Sequence, residues 1–208
     1  MKSINYKIIE FVIIFLIIPI SFVVPYSPWL KLSFGLLGFL YVIYVLLRVE
    51  QLKFKVSKTI KWKPFWKITV IKLGVIASLT TLFVWITDSE SLFTVLLNKP
   101  LKWLILLFIY SVFSVYPQEL LYRAFFFKRY QSLFKNKSLF LLVNAILFAL
   151  AHLFFGSVLV LVITFIGGLL FAFTFKKTQS TLLVSIEHAI YGCWLFTVGM
   201  GSMLGFPS

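Results

Sequence analysis

YPQELLYRAFFFKRY, residues 116–130, sets Gln118, Glu119 and Arg123 among aromatic and aliphatic neighbours. The composition around it decides how it folds. The chain of 208 residues is 61% hydrophobic and 19% aromatic, more apolar side chain than a soluble globule of this size needs for its core. Runs of 14 to 18 nearly uncharged residues recur between short polar or basic breaks, and a hydrocarbon slab takes about 20 residues of helix to cross. The expected spans are 8–24, 32–47, 68–86, 101–127 with a break near Pro117, 139–155, 158–175 and 182–198. No strand alternation of the barrel kind occurs in the sequence, so the fold class is all-α, a polytopic membrane bundle of about seven helices. Residues 8–24 are longer than the apolar core of a signal peptide, and no small-residue cleavage pattern follows, so the first segment reads as a retained helix. No repeat or low-complexity tract divides the chain. It reads as one membrane domain, 1–208: helices 1–100 with a basic loop 48–72, then a core, 101–198.

In a soluble protein a net charge of +14 would point to nucleic acid, but here the basic residues fall in the breaks between apolar runs, and no nucleic-acid partner is expected. With the N-terminus inside, 17 basic residues fall on the inner side, leaving Lys31, Lys99 and Lys102 outside with Asp88 and Glu90. That imbalance supports seven crossings and a cytoplasmic N-terminus. Residues 53–67, KFKVSKTIKWKPFWK, interleave lysines with Phe54, Trp62, Phe65 and Trp66. They read either as a strip lying on anionic lipid headgroups or as a solvated loop obeying the same charge rule. Membrane lipids are the one partner that composition implies. The single cysteine, Cys193, lies in an apolar run and reads as a buried thiol without a role.

Six acidic residues occur, and position accounts for four: Glu10 near a helix start, Glu50 in the basic loop, Asp88 and Glu90 in an outer loop. Glu119 and Glu187 have no such account, and both histidines, His152 and His188, also fall inside apolar spans. An ionisable group at the bilayer centre costs roughly 2.5 to 3.5 kcal/mol, so such groups usually face a cavity and pair. Counted from the expected inner helix ends, Glu119, His152 and His188 lie about 14, 20 and 17 Å deep at a rise of about 1.5 Å per residue. Three helices would thus bring one carboxylate and two imidazoles to one level. Glu119 precedes Arg123 by four residues, the favourable order for a pair on one helix face. The guanidinium either orients a working carboxylate or completes a purely structural ion pair. Glu187, adjacent to His188 and about 100° around the helix from it, reads as a supporting partner or as part of a neighbouring crevice.

The order QELLYR (118–123), FALAH (148–152) and SIEHAIYG (185–192) resembles the CPBP family of intramembrane proteases, also called Abi or CAAX prenyl protease 2, Rce1-like. The family pattern is E-E-x-x-x-R, F-x-x-x-H and H-x-x-x-N on successive core helices, and the resemblance covers about half of the chain. It implies that a glutamate and His152 activate a water, while His188 stabilises the oxyanion formed when the water attacks a peptide carbonyl. With Glu187 added from its place beside His188, the candidate site is Gln118, Glu119, Arg123, His152, Glu187 and His188. If a metal such as Zn2+ takes part, Glu119, His152 and His188 would be its ligands, with water in the fourth position. The chain departs from the pattern at two positions. Gln118 stands where the first glutamate is usual, and Gly192 where the asparagine is usual. Glutamine can hydrogen-bond a water but cannot take its proton at neutral pH. Either Glu119 or Glu187 is then the base, or the protein keeps the fold and binds without cutting. The expected function is a membrane-embedded endopeptidase acting on a peptide or membrane-associated protein, placed in a bacterial cytoplasmic membrane. The alternative is a non-catalytic membrane scaffold or bacteriocin-immunity-type protein. A small transporter would need a repeated half or paired broken helices, and the sequence offers neither.

Overall fold

The computed structural model describes residues 3–52 and 60–201. Seven helices within them are long and apolar enough to cross a membrane: α1 Ile4–Ser21, α2 Pro28–Val49, α3 Trp62–Thr87, α4 Pro100–Leu133, α5 Lys137–Phe155, α6 Val158–Thr178 and α7 Thr181–Val198. All seven expected spans are present. Large apolar side chains face outward along them, among them Trp85, Ile86, Phe113 and Val158. An apolar exterior of this extent suits acyl chains rather than water. The molecule is an integral membrane protein with an all-helical fold.

Local chemistry sets the helix ends. Ser3, Asn136 and Ser180 accept backbone N–H groups at the starts of α1, α5 and α7, the usual work of a short polar N-cap. Pro28 and Pro100 open α2 and α4, where a missing N–H removes a donor that has no partner in the helix anyway. Gly199 ends α7 with φ +109, and a β-carbon there would lie 2.2 Å from the Ser91 carbonyl oxygen, so only glycine fits.

Two expectations about element bounds differ from the structure. The connection read as 48–72 is shorter, because α3 begins at Trp62; Pro64 lies in its first turn, where proline is tolerated. Lys72 is therefore inside a helix. The 53–67 strip falls partly on residues 53–59, which lie outside the described residues. The expected break near Pro117 is absent too. α4 runs through it by widening into π-helical turns at Tyr110–Val115 and Leu120–Phe125, with an α-helical turn Tyr116–Glu119 between. Such turns absorb a local mismatch in the hydrogen-bond ladder without ending the helix.

The helices group into two compact units whose segments alternate along the chain: Met1–Lys55 with Gln118–Lys177, and Val56–Pro117 with Thr178–Ser208. The first contains α1, α2, the later part of α4, α5 and α6. Its core is aromatic: Phe15 of α1 meets Tyr122 and Phe126 of α4 at ring separations of 5.5 and 5.3 Å, and Phe126 stacks on Phe140 at 4.9 Å. α5 and α6 approach closely at Gly168, where a β-carbon would stand 3.1 Å from the Ala145 α-carbon. Small residues permit this kind of contact between membrane helices. The second unit contains α3, the start of α4 and α7. Trp194 Nε1 donates to Thr80 Oγ1 at 2.9 Å, tying α7 to α3, and Trp103 Nε1 donates to Thr197 Oγ1 at 2.9 Å, tying α4 to α7.

Candidate active site

Gln118, Glu119, Arg123 and His152 belong to the first unit, Glu187 and His188 to the second. In the first, the wide turn Leu120–Phe125 carries Arg123 one turn beyond Glu119, and both side chains are fully buried. Arg123 Nε lies 3.3 Å from Glu119 Oε2. The guanidinium carbon also sits 4.8 Å from the Phe148 ring centroid and 5.8 Å from that of Phe171, and Nη2 donates to the Gly168 carbonyl at 3.4 Å. Arginine suits this position because its plane can lie on aromatic faces while its edge holds a carboxylate.

Phe148 leads on to His152. The two rings lie 5.0 Å apart, and Phe155 covers the imidazole on another side at 6.1 Å. The regular part of α5 ends at Leu150, so His152 sits in the turn just past it, half-buried, rather than in mid-helix as the span 139–155 suggested. His152 Nδ1 is 2.8 Å from the Phe148 carbonyl oxygen. A carbonyl can only accept, so Nδ1 carries the proton and Nε2 is the basic nitrogen. The structure thus links the motif residues 118–123 and 148–152 through one phenylalanine.

In the second unit Glu187 and His188 leave α7 on different faces. Glu187 is buried beneath α3: Lys72 Nζ lies 2.7 Å from its Oε1, and the Tyr191 hydroxyl donates to the same oxygen at 3.0 Å. His188 faces Tyr110, with ring centroids 6.1 Å apart and nearly perpendicular. Lys72, Tyr191 and Tyr110 were not among the candidates read from sequence. Lys72 interrupts the apolar run ITVIKLGVIA, a detectable signal, and Tyr191 follows Glu187 at i+4, whereas nothing local marks Tyr110.

Another buried ionic group was missed altogether. Arg129 Nε donates to Glu10 Oε2 at 2.7 Å and its Nη1 to Glu50 Oε1 at 2.8 Å. The hydroxyls of Tyr41 and Tyr130 donate to the two oxygens of Glu10. Glu10 and Glu50, explained from sequence by position alone, are the anchors through which α1 and α2 hold α4.

Among the described residues no group of three or more His, Cys, Asp or Glu side chains, Glu119, His152 and His188 included, is spaced to hold a metal ion. Residues 100–194 match the family model described as type II CAAX prenyl endopeptidase Rce1-like. That stretch contains all six candidate residues. No curated protein and no solved structure matches the chain. What three short motifs suggested the family model supports: residues 100–194, in the C-terminal half of this helical membrane protein, are similar to the Rce1-like family.

Proposed function

We propose that the protein is a membrane-embedded endopeptidase that hydrolyses a peptide bond in a peptide or membrane-associated protein. The observation that carries this reading is the buried Glu119–Arg123 pair joined through Phe148 to an imidazole whose basic nitrogen is fixed as Nε2. A purely structural ion pair needs no oriented histidine beyond it. In this reading Gln118 and His152 hold a water and Glu119 accepts its proton. The water oxygen bonds to the carbonyl carbon, and the carbonyl π pair moves to oxygen, where the resemblance gives His188 the role of donor to the negative charge. Collapse breaks the C–N bond, and the proton held by Glu119 passes to the departing nitrogen. Arg123 orients Glu119, and Glu187, held by Lys72 and Tyr191, positions the stretch of α7 that carries His188.

A second reading, peptide binding without cleavage, is favoured by Gln118, which cannot accept a proton. One experiment separates the two. Purified protein in detergent is offered a library of internally quenched fluorogenic peptides, alongside His152→Ala, Glu119→Gln and His188→Ala. The peptidase reading expects wild-type cleavage, lost in His152→Ala and reduced at least about 100-fold in the other two. Folded wild type that binds peptides and cuts none supports the binding reading.

A further inference from the structure

His188 and Gly192 are one turn apart on the same face of α7. The volume a side chain at 192 would occupy is already filled. A β-carbon built on Gly192 would lie 2.0 Å from the Tyr110 hydroxyl oxygen and 2.5 Å from Tyr110 Cε1 and Cζ. The same ring stands edge-on to His188 at 6.1 Å and to Phe196 at 4.8 Å, with interplanar angles of 81° and 79°. Tyr110 opens the π-helical turn Tyr110–Val115 of α4, so the phenol is delivered from a widened helix into the gap left by the missing side chain.

We propose that Tyr110 is a second hydrogen-bond donor beside His188, its phenol O–H standing in for the polar side chain that Gly192 lacks. The proposal rests on the peptidase reading and adds a residue to it. A donor to a developing oxyanion must be aimed before the charge appears. Two edge contacts and the backbone of α7 fix this ring, and a phenol has only two side-chain torsions to hold. A phenol O–H is a good hydrogen-bond donor. Glycine at 192 is then a requirement of the arrangement, because any larger residue would drive the hydroxyl out. The resemblance places an asparagine at this position; here the donor arrives from another helix.

The test uses the full-length protein in detergent and the fluorogenic library peptide that wild type cleaves fastest. Tyr110→Phe keeps the ring and its contacts with His188 and Phe196 and removes only the oxygen. It is expected to lower kcat about 100-fold while KM and the unfolding temperature stay within error of wild type. Gly192→Ala should lose at least as much kcat. Tyr110→Ala combined with Gly192→Asn should recover at least about tenfold over Tyr110→Ala alone, which a space-filling role would not produce. Tyr110→Phe with kcat within twofold of wild type overturns the donor role and leaves the peptidase reading standing. Folded wild type that cleaves no library peptide overturns both.

Discussion

Glu119 and Arg123 are both completely enclosed, and their energetics are those of a pair that must be kept or removed together. Deleting one partner strands the other charge in a medium that cannot solvate it, at a cost of about 3–5 kcal/mol. Arg123→Ala should therefore lose about that much stability, measured by denaturant titration in detergent micelles, while the double variant Arg123→Met, Glu119→Gln should lose clearly less. If the double variant is the weaker of the two, the ion pair is not what makes the site fragile. Arg123→Lys should hold the charge but not the contacts with Phe148 and Phe171, and so fall between. At this scale the sequence was informative wherever an ionisable residue interrupted an apolar run. It was less informative where the decisive neighbour was apolar: the F-x-x-x-H motif marks Phe148 among 25 phenylalanines, but only the structure shows its ring between a guanidinium and an imidazole.

Two contacts between elements are open to the same kind of test. Arg129 holds α1 and the end of α2 to α4 through Glu10 and Glu50, so Arg129→Ala leaves two carboxylates without their cation. It is expected to cost about 3–5 kcal/mol in the same titration, although residue 129 is not a candidate for the chemistry. An unchanged midpoint would mean that the tyrosine hydroxyls on Glu10 suffice. Gly168→Val puts a branched side chain against the backbone of Ala145, 3.1 Å from a β-carbon. An overpacked helix crossing of this kind costs about 1–3 kcal/mol. Arg123 should feel the displacement too, because it donates to the Gly168 carbonyl. Helix lengths and order were legible because apolar run length is fixed by bilayer thickness. The continuity of α4 was not, since proline signals a break and the π-helical turns that absorb it have no local sequence signature. The Glu10–Arg129 pair was hidden for a different reason. Its members are 119 residues apart, and each has an innocent explanation alone.

For the whole molecule the central question is orientation and then chemistry. Seven helices are long and apolar enough to cross, and from the 17 to 3 distribution of basic residues read along the sequence we propose that the N-terminus lies inside. With Cys193→Ser as background, Glu90→Cys should react with a membrane-impermeant maleimide added to intact cells, and Ser3→Cys should react only after permeabilisation. The opposite pattern would invert the molecule and move the α4–α5 turn to the outer face. That the fold and the family resemblance were readable while the contacts of Arg123 with Phe148 and of His188 with Tyr110 were not has a physical cause. Hydrophobicity acts on every residue of a span, whereas a site depends on a few rotamers. The most direct measurement is to incubate wild type in lipid nanodiscs with its best library peptide in water enriched in oxygen-18 and to weigh the products. A hydrolase activating water through His152 predicts one heavy oxygen in each new carboxyl terminus with wild type, and no new termini with His152→Ala. Intact peptide after incubation with folded wild type, or equal cleavage by His152→Ala, would contradict the account.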